Sequence, residues 1–431
     1  MGRKSDGIYD ARTLGTGRMI VLGLQHMFAM FGATVLVPML TGLSVSATLL
    51  FAGLGTLLFH FLSKGKVPAF LGSSFAFIGG YAAIAPNGEK ELLPYACVGV
   101  AAAGLLYLIL AAAIKAFGQK AVLKFFPPIV TGPIIIAIGL TLSNSAINNC
   151  SADWKSWIVA IVAIFVVVIC NVLGKGMIKI IPIILGIVAS VIVALVFGMV
   201  DFTSVMDASW VGLPFEFEDT VFSLFKDPDT DLLINAIITI APIALATIIE
   251  HIGDISAISS TTGENYIEEP GLHRTLLGDG LATIMASLFG APANTTYGEN
   301  TGVLSITKVY DPRVIRIAAF FAVVFSFSPK FAALIGSIPA ATCGGVSLVL
   351  YGMISAVGIR NLVESNIDFS KSRNIIIAAL IMGLAVGITF SNVGAIVIEL
   401  GSITIRLSGL ATGALVGIIL NAVLPSEEKQ A

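Results

Sequence analysis

Glu299 lies in the stretch Asn294-Thr-Thr-Tyr297-Gly298-Glu299-Asn300-Thr-Gly302-Val-Leu-Ser-Ile-Thr307-Lys308, between two apolar runs. That stretch is too polar and too glycine-rich for an ordinary membrane helix. A carboxylate at the centre of a membrane helix costs roughly 2.5–3.5 kcal/mol on insertion scales, so one kept there is expected to serve a ligand. A second acidic stretch, Thr247-Ile-Ile-Glu250-His251-Ile-Gly253-Asp254, closes an apolar run begun at Leu232. Its two acids are four residues apart, and a continuing helix puts them on one face. The competing reading is a helix end reaching water, because Gly263 to Pro270 is polar. The third stretch, Pro68-Ala-Phe-Leu-Gly72-Ser-Ser-Phe75-Ala-Phe77-Ile-Gly-Gly80, breaks another apolar run, with β-forming character from Ser74 to Ile78. Irregular backbone at membrane depth is tolerated only inside protein or against a cavity. The alternative is a kinked packing helix.

Together the three stretches describe a ligand. Ionised carboxylates only accept hydrogen bonds, so Glu250 and Glu299 call for a ligand with N–H donors. Free backbone N–H groups call for carbonyl acceptors, and Phe75, Phe77 and Tyr297 offer apolar surface to a flat ring. A small planar heterocycle with alternating N–H and C=O groups, uracil-like or purine-like, satisfies both demands. A large anion does not, because every Lys and Arg lies at the end of an apolar run.

The elements that must position these residues follow from composition. The 431 residues are 56% hydrophobic and 12% charged, with mean hydropathy +0.96. A soluble domain carries about 25% charged residues, so this is an integral membrane protein of many spans. The net charge of −2 excludes a nucleic-acid partner. About 20 apolar residues cross a bilayer as a helix. Such runs fall at 18–40, 45–63, 68–84, 94–117, 126–145, 156–174 and 179–200, then at 232–251, 275–291, 296–308, 313–328, 331–358, 374–391 and 406–424. Between the two sets, Asp201 to Asp231 holds eight acids and one lysine, read as a solvated face. The third and tenth runs are the interrupted ones, and they occupy equivalent places in two sets of seven. An odd number per set makes similar halves an inverted repeat, and paired interrupted segments point to a transporter's binding site.

With the N-terminus inside, 19 of the 24 Lys and Arg residues fall on the cytoplasmic side and 5 outside, as the positive-inside rule requires. Trp154 and Trp157 fall at the outer end of the sixth run, where interfacial tryptophans belong. The polar N-terminus, Met-Gly-Arg-Lys-Ser-Asp, does not read as a cleaved signal peptide. Cys97, Cys150, Cys170 and Cys343 have no paired or metal-like spacing and read as core residues. His26, His60, His251 and His273 lack HxxxH spacing, so neither a metal centre nor a membrane enzyme is expected; His60 reads as packing or capping near a span end. Gly53-x-Gly55 reads as close helix packing. The sequon Asn294-Thr-Thr296 has no meaning at this depth. Broken helices also suit an ion channel, but two acids with aromatic neighbours and no repeated carbonyl ring favour a carrier.

Four motifs together resemble the nucleobase/ascorbate transporter family. They are Gln25-His26-Met-Phe-Ala-Met-Phe-Gly-Ala33-Thr-Val-Leu-Val-Pro38, Gly72-Ser-Ser-Phe75-Ala-Phe77, Glu250-His251-Ile-Gly253, and Asn294 to Gly302. The last leads into the family signature Asn-x-Gly-x4-Thr-Lys, here Asn300, Gly302, Thr307 and Lys308. The resemblance runs from about 17 to 425, and Glu299 makes the chain most similar to the bacterial uracil permeases. It implies an all-α polytopic protein of fourteen spans as a 7+7 inverted repeat, with short strands in spans 3 and 10 meeting at the midplane. Core domain segments would be 18–117 and 232–328, and gate domain segments 126–200 and 331–424.

The resemblance further implies proton-coupled uracil symport, by movement of core against gate. Glu250 and Glu299 would accept from the ring nitrogens, while backbone at Phe75 and Gly298 would bind the carbonyl oxygens. His26, Ala33 and Tyr297 would line the site or its hydrogen-bond network. Glu250, Asp254 and His26 would couple the proton, and Tyr351 would lie on the gate side. The proton would be the coupling ion, with no other cofactor. The implied partners are the nucleobase, membrane lipid and a second copy of the chain, joined through the gate domain. The implied place is the cytoplasmic membrane, with both termini cytoplasmic. One position departs: in the best-known uracil permease type a His lies one turn after the first glutamate, where this chain has Asp254, a residue common there in the purine-carrying branch. Symport of xanthine or another purine is therefore the alternative.

Overall fold

The computed structural model describes residues 7–226, 228–400 and 403–425. Residues 1–6, Asp227 and Lys429 lie outside the described residues, and with them Arg3 and Lys4 of the charge count. The described residues are 75% helical. Apolar runs become helices here because, without water, each segment must satisfy its own backbone N–H and C=O groups.

The first half runs α1 (Thr16–Thr41), α2 (Val45–Leu62), β1 (Leu71–Ser73), α3 (Ile78–Ile84), α4 (Leu93–Phe117), α5 (Gln119–Leu123), α6 (Pro128–Cys150), α7 (Trp154–Val172), α8 (Met177–Ile180) and α9 (Pro182–Val196). The acidic connection contains α10 (Thr203–Asp207) and two 3-10 turns. The second half runs α11 (Thr230–Ile240), α12 (Ala244–Thr262), α13 (Leu272–Leu288), β2 (Asn294–Thr296), α14 (Gly298–Thr307), α15 (Pro312–Ser326), α16 (Pro329–Gly336), α17 (Ala340–Glu364), α18 (Ser372–Thr389), β3 (Ala395–Leu400), β4 (Ile403–Ser408) and α19 (Gly409–Val423). Short polar side chains start several of these helices by accepting orphan backbone N–H groups. Ser44 Oγ accepts from Ala47 N at 3.2 Å, Asp153 Oδ1 from Ser156 N at 2.7 Å, and Asp229 Oδ1 from Leu232 N at 3.0 Å.

Eight helices among the described residues are long and apolar enough to cross a membrane alone. This is fewer than the fourteen expected spans because β1 and β2 interrupt the third and tenth segments, and helices such as α9 and α19 are short. Large apolar side chains such as Phe165, Val172 and Val196 face outward, at 63%, 68% and 81% exposure. A membrane's hydrocarbon is their natural surrounding, and the chain is a multi-pass membrane protein. Helix α2 packs on α13 and α15, α1 on α15, and α4 on α13; elsewhere α6 and α7 pack on α17, and α18 on α19.

β1 and β2 pair antiparallel, Leu71 with Thr296, Gly72 with Thr295 and Ser73 with Asn294. This differs from the strand expected at Ser74 to Ile78. Among the described residues the partner strand is the three residues of β2, after Ala293 and before Tyr297 at the start of α14, so the ladder ends at Ser74. Phe75–Phe77 instead form a 3-10 turn into α3. Three other boundaries also move. The run 232–251 does not stop at Glu250: the helix breaks at Ala241–Ile243, beside Pro242, then continues to Thr262, where Gly263 in the left-handed region (φ +74°) ends it. The run 331–358 is two elements, α16 and α17, separated before Pro339, with α16 bent by 90° from α15. The run 406–424 begins as strand, because β3 and β4 form an antiparallel hairpin, and helix starts only at Gly409.

The sequence reading of the small motifs agrees with the packing. A Cβ at Gly53 would lie 2.6 Å from the Ala319 carbonyl oxygen, and one at Gly55 2.3 Å from Asn294 Nδ2. His60 Nε2 lies 2.9 Å from the Ala69 carbonyl oxygen, tying α2 to the segment that enters β1.

Candidate functional site

The site is built on the two-stranded sheet. Thr56 of α2 fixes β1 from both sides, its Oγ1 accepting from Leu71 N at 2.9 Å and donating to Leu71 O at 3.2 Å. Asn294 fixes β2: its Nδ2 donates to Phe51 O, and its carbonyl accepts from Thr283 Oγ1, both at 2.9 Å. The same bonds bury the sequon, with Asn294 at 3% exposure. The Tyr297 ring fills the space over Gly72, where an added Cβ would come within 2.5 Å of it. Its hydroxyl donates to Ser73 O at 2.8 Å, and Ser73 Oγ donates to Thr34 O of α1 at 2.8 Å. Tyr297 therefore locks sheet to helix.

Each strand hands over to a helix. Ser74 N donates to Ala293 O at 2.8 Å and Tyr297 N to Phe70 O at 3.0 Å. The next N–H groups, of Phe75 and Gly298, open helical turns, and the first N–H groups of a helix have no intrahelical partner. They are available to an acceptor in front of the sheet. Gly298 and Gly302, one turn apart on α14, are exposed, and a Cβ at either meets nothing within 4 Å. That face of α14 borders open space although α14 starts at the sheet. Glu299 stands beside it, half-buried. Across the gap, α12 presents Glu250 and Asp254, both half-buried. Glu250 and Asp254 lie within electrostatic reach of one another, and each within reach of Asp279 and Glu299. With Glu250 inside a helix that runs on to Thr262, the reading of a helix end reaching water is overturned.

Two histidines hold this arrangement. His26 of α1 is fully buried; Asn300 Nδ2 donates to its backbone oxygen at 3.0 Å and lies 3.1 Å from its Nδ1. His251, fully buried on α12, has Nδ1 3.1 Å from both Thr296 Oγ1 of β2 and Asp279 Oδ2 of α13. Asp279 was not singled out by the sequence reading. Its signal was an acid inside the apolar run 275–291. On the other side, the Phe75 ring meets Tyr351 of α17 edge to face, centroids 5.5 Å apart. Ala33 is buried on α1 one residue before Thr34. The signature residues Thr307 and Lys308 end α14: Thr307 Oγ1 donates to Val303 O at 2.9 Å, and Lys308 takes a left-handed φ of +53°.

Two broken helices meeting at paired strands, with acids round a gap among membrane helices, are an arrangement suited to a membrane carrier. Residues 17–394 match the Permease family, and the chain belongs to it, the nucleobase/ascorbate transporters. The uracil permease of Bacillus caldolyticus is 42% identical over 430 residues, covering 98% of this chain and 95% of that protein. The uracil permease of Escherichia coli (strain K12) is 39% identical over 431 residues, covering 98% and 94%. Among solved structures, the transmembrane domain of a cyanobacterium bicarbonate transporter, BicA, superposes with a TM-score of 0.60 at 16% identity, over 96% of this chain and 99% of that one. That likeness shows the fold, the 7+7 inverted repeat.

Proposed function

We propose that this chain carries uracil across the cytoplasmic membrane in symport with protons, with both termini on the cytoplasmic side. The observation that carries this reading is the pairing of two acceptors, Glu250 and Glu299, with two sets of open backbone donors, at Phe75 and Gly298, round one gap. Uracil presents N–H and C=O groups alternately along one edge, and this donor and acceptor set is its complement. The names of the relatives support the same substrate. Glu250 and Glu299 accept from ring N–H groups, Phe75 N–H and Gly298 N–H donate to ring carbonyls, and the Phe75 ring and Ala33 bound the flat faces. Tyr297, with Asn300, Gly302 and Thr307 of the signature, holds α14 in place.

Glu250, with Asp254 one turn away, carries the coupling proton, and His26 steadies the network through Asn300. The core segments (18–117 and 232–328) move against the gate segments (126–200 and 331–424), where Tyr351 closes on Phe75. A homodimer through the gate segments fits this division. Uptake of radiolabelled uracil under an imposed pH gradient tests the reading, with 5-fluorouracil, thymine, xanthine, hypoxanthine and cytosine as competitors. Inhibition by 5-fluorouracil and not by purines is expected. Asp254 favours a second reading, symport of xanthine or another purine; inhibition by purines but not by 5-fluorouracil would establish it instead. Glu250→Gln is expected to abolish pH-driven accumulation and, because Glu250 also accepts from the ring, to weaken uracil binding as Glu299→Gln does. A variant still fully proton-driven removes Glu250 from coupling.

A further inference from the structure

Away from the proposed site, a cavity of about 280 Å³ opens between α4 and α13, at the end of both helices that the charge count assigns to the cytoplasm. Its floor is apolar, with Leu108, Ala111 and Leu277, and its rim is Lys115, His273 and Arg274. Lys64 stands within electrostatic reach of His273 as well. Among the described residues no carboxylate forms an ion pair with Lys115, His273 or Arg274. Nearby Lys66, by contrast, has Glu269 as its partner. Arg274 spends one guanidinium nitrogen on the Leu62 carbonyl, Nη1 to O 3.2 Å, at the end of α2, which fixes the group beside the cavity. Above the cavity, Leu105 and Ile109 face outward at 52% and 64% exposure. The surface is thus lipid-facing along its length and basic at one end.

We propose that this cavity binds an anionic glycerophospholipid of the inner leaflet. The phosphate-bearing headgroup lies against Lys115, His273 and Arg274, and an acyl chain runs over Leu108, Ala111 and Leu277. Charge complementarity selects the sign: three donors converge with no acid among them, at the level where the inner leaflet carries its negative headgroups. The apolar floor selects a lipid over an ion from solution, because a free phosphate leaves that floor uncovered. The inference rests on the proposed orientation, but not on the substrate. It is read by lipid binding without uracil, so its failure is distinguishable from failure of the transport reading.

The test uses the purified full chain in detergent, supplied with phosphatidylglycerol, phosphatidylcholine or inorganic phosphate. Bound lipid is counted by native mass spectrometry and thermal stability is followed in parallel. Phosphatidylglycerol is expected to be retained and to raise the melting temperature, with phosphatidylcholine and inorganic phosphate doing neither. Lys115→Glu is expected to weaken phosphatidylglycerol binding by about fivefold or more, the factor for one basic side chain at a lipid surface. Lys175→Glu, an exposed lysine between α7 and α8 far along the chain, serves as control and is expected to change nothing. Equal retention of phosphatidylcholine, equal losses in the two variants, or stabilisation by inorganic phosphate alone would each overturn the proposal.

Discussion

Glu299 and Gly298 are neighbours with opposite demands on chemistry, and they separate the effects of charge and of space. In the proposed site Glu299 accepts a ring N–H. Glu299→Gln keeps the shape, but replaces an ionised acceptor by an amide whose NH₂ can face the same donor. A hydrogen bond to a charged group contributes about 1.5–3 kcal/mol, so uracil affinity is expected to fall ten- to a hundredfold. Equilibrium binding to the purified protein measures this, and unchanged affinity removes Glu299 from contact with the base. Gly298→Ala asks about space. Because nothing in the protein lies within 4 Å of the added Cβ, the melting temperature of the free protein is expected to stay close to that of the parent. The new methyl group instead enters the gap. Uracil uptake is expected to fall while the fold remains, a combination that simple destabilisation cannot produce.

At the scale of elements, the strands depend on a few polar anchors from neighbouring helices. Three residues per strand make too short a ladder to stand alone, since even a two-stranded hairpin is marginal in water. Thr56→Val is close to isosteric, yet it leaves the buried N–H and C=O of Leu71 without their side-chain partner. Each buried polar group left unsatisfied costs about 1–3 kcal/mol, so a clear drop in melting temperature is expected, read by a thermal scan of the purified variant. A melting temperature equal to the parent's means that β1 is held by β2 alone. These anchors also explain what was legible in the sequence. Glu250, Glu299 and the broken third segment stood out because charge and glycine are costly in an apolar run, and physics flags such costs locally. The strand position was missed by a few residues because Phe75 and Phe77 have β character of their own, while the strand is set by what lies across from it. Asp279 meets His251 only through the packing of α12, α13 and β2, a contact no spacing rule encodes. The β3–β4 hairpin was missed for a different reason. Its signal was present, as Ile396-Val-Ile398, then Gly401-Ser402, then Ile403-Thr-Ile405, but it lay between two apolar helices and was absorbed into them.

At the scale of the whole molecule, the proposed mechanism requires that the helices bearing β1 and β2 move against the rest, and one contact lets that be tested. Gly32 of α1 and α9 approach so closely that a Cβ on Gly32 would lie 3.1 Å from Ile183 Cβ. In the proposed division α1 belongs to the core and α9 to the gate. Disulfide-linked Cβ atoms stand about 3.5–4.5 Å apart, so a Gly32→Cys, Ile183→Cys pair needs a shift of only a few tenths of an ångström to close. Three of the four natural cysteines are buried and Cys170 is half-buried, and all four are free among the described residues, so none competes at this position by an existing bond. Oxidation of the double variant is expected to stop uracil uptake, and a reductant to restore it. The single variants, treated the same way, keep their activity and control for damage by the oxidant. A sub-ångström rearrangement within a rigid body would survive such a link; a displacement of one helical group past another would not. Fully oxidised double variant that transports uracil at the parent rate would therefore rule out relative movement of α1 and α9, and with it the core-against-gate mechanism.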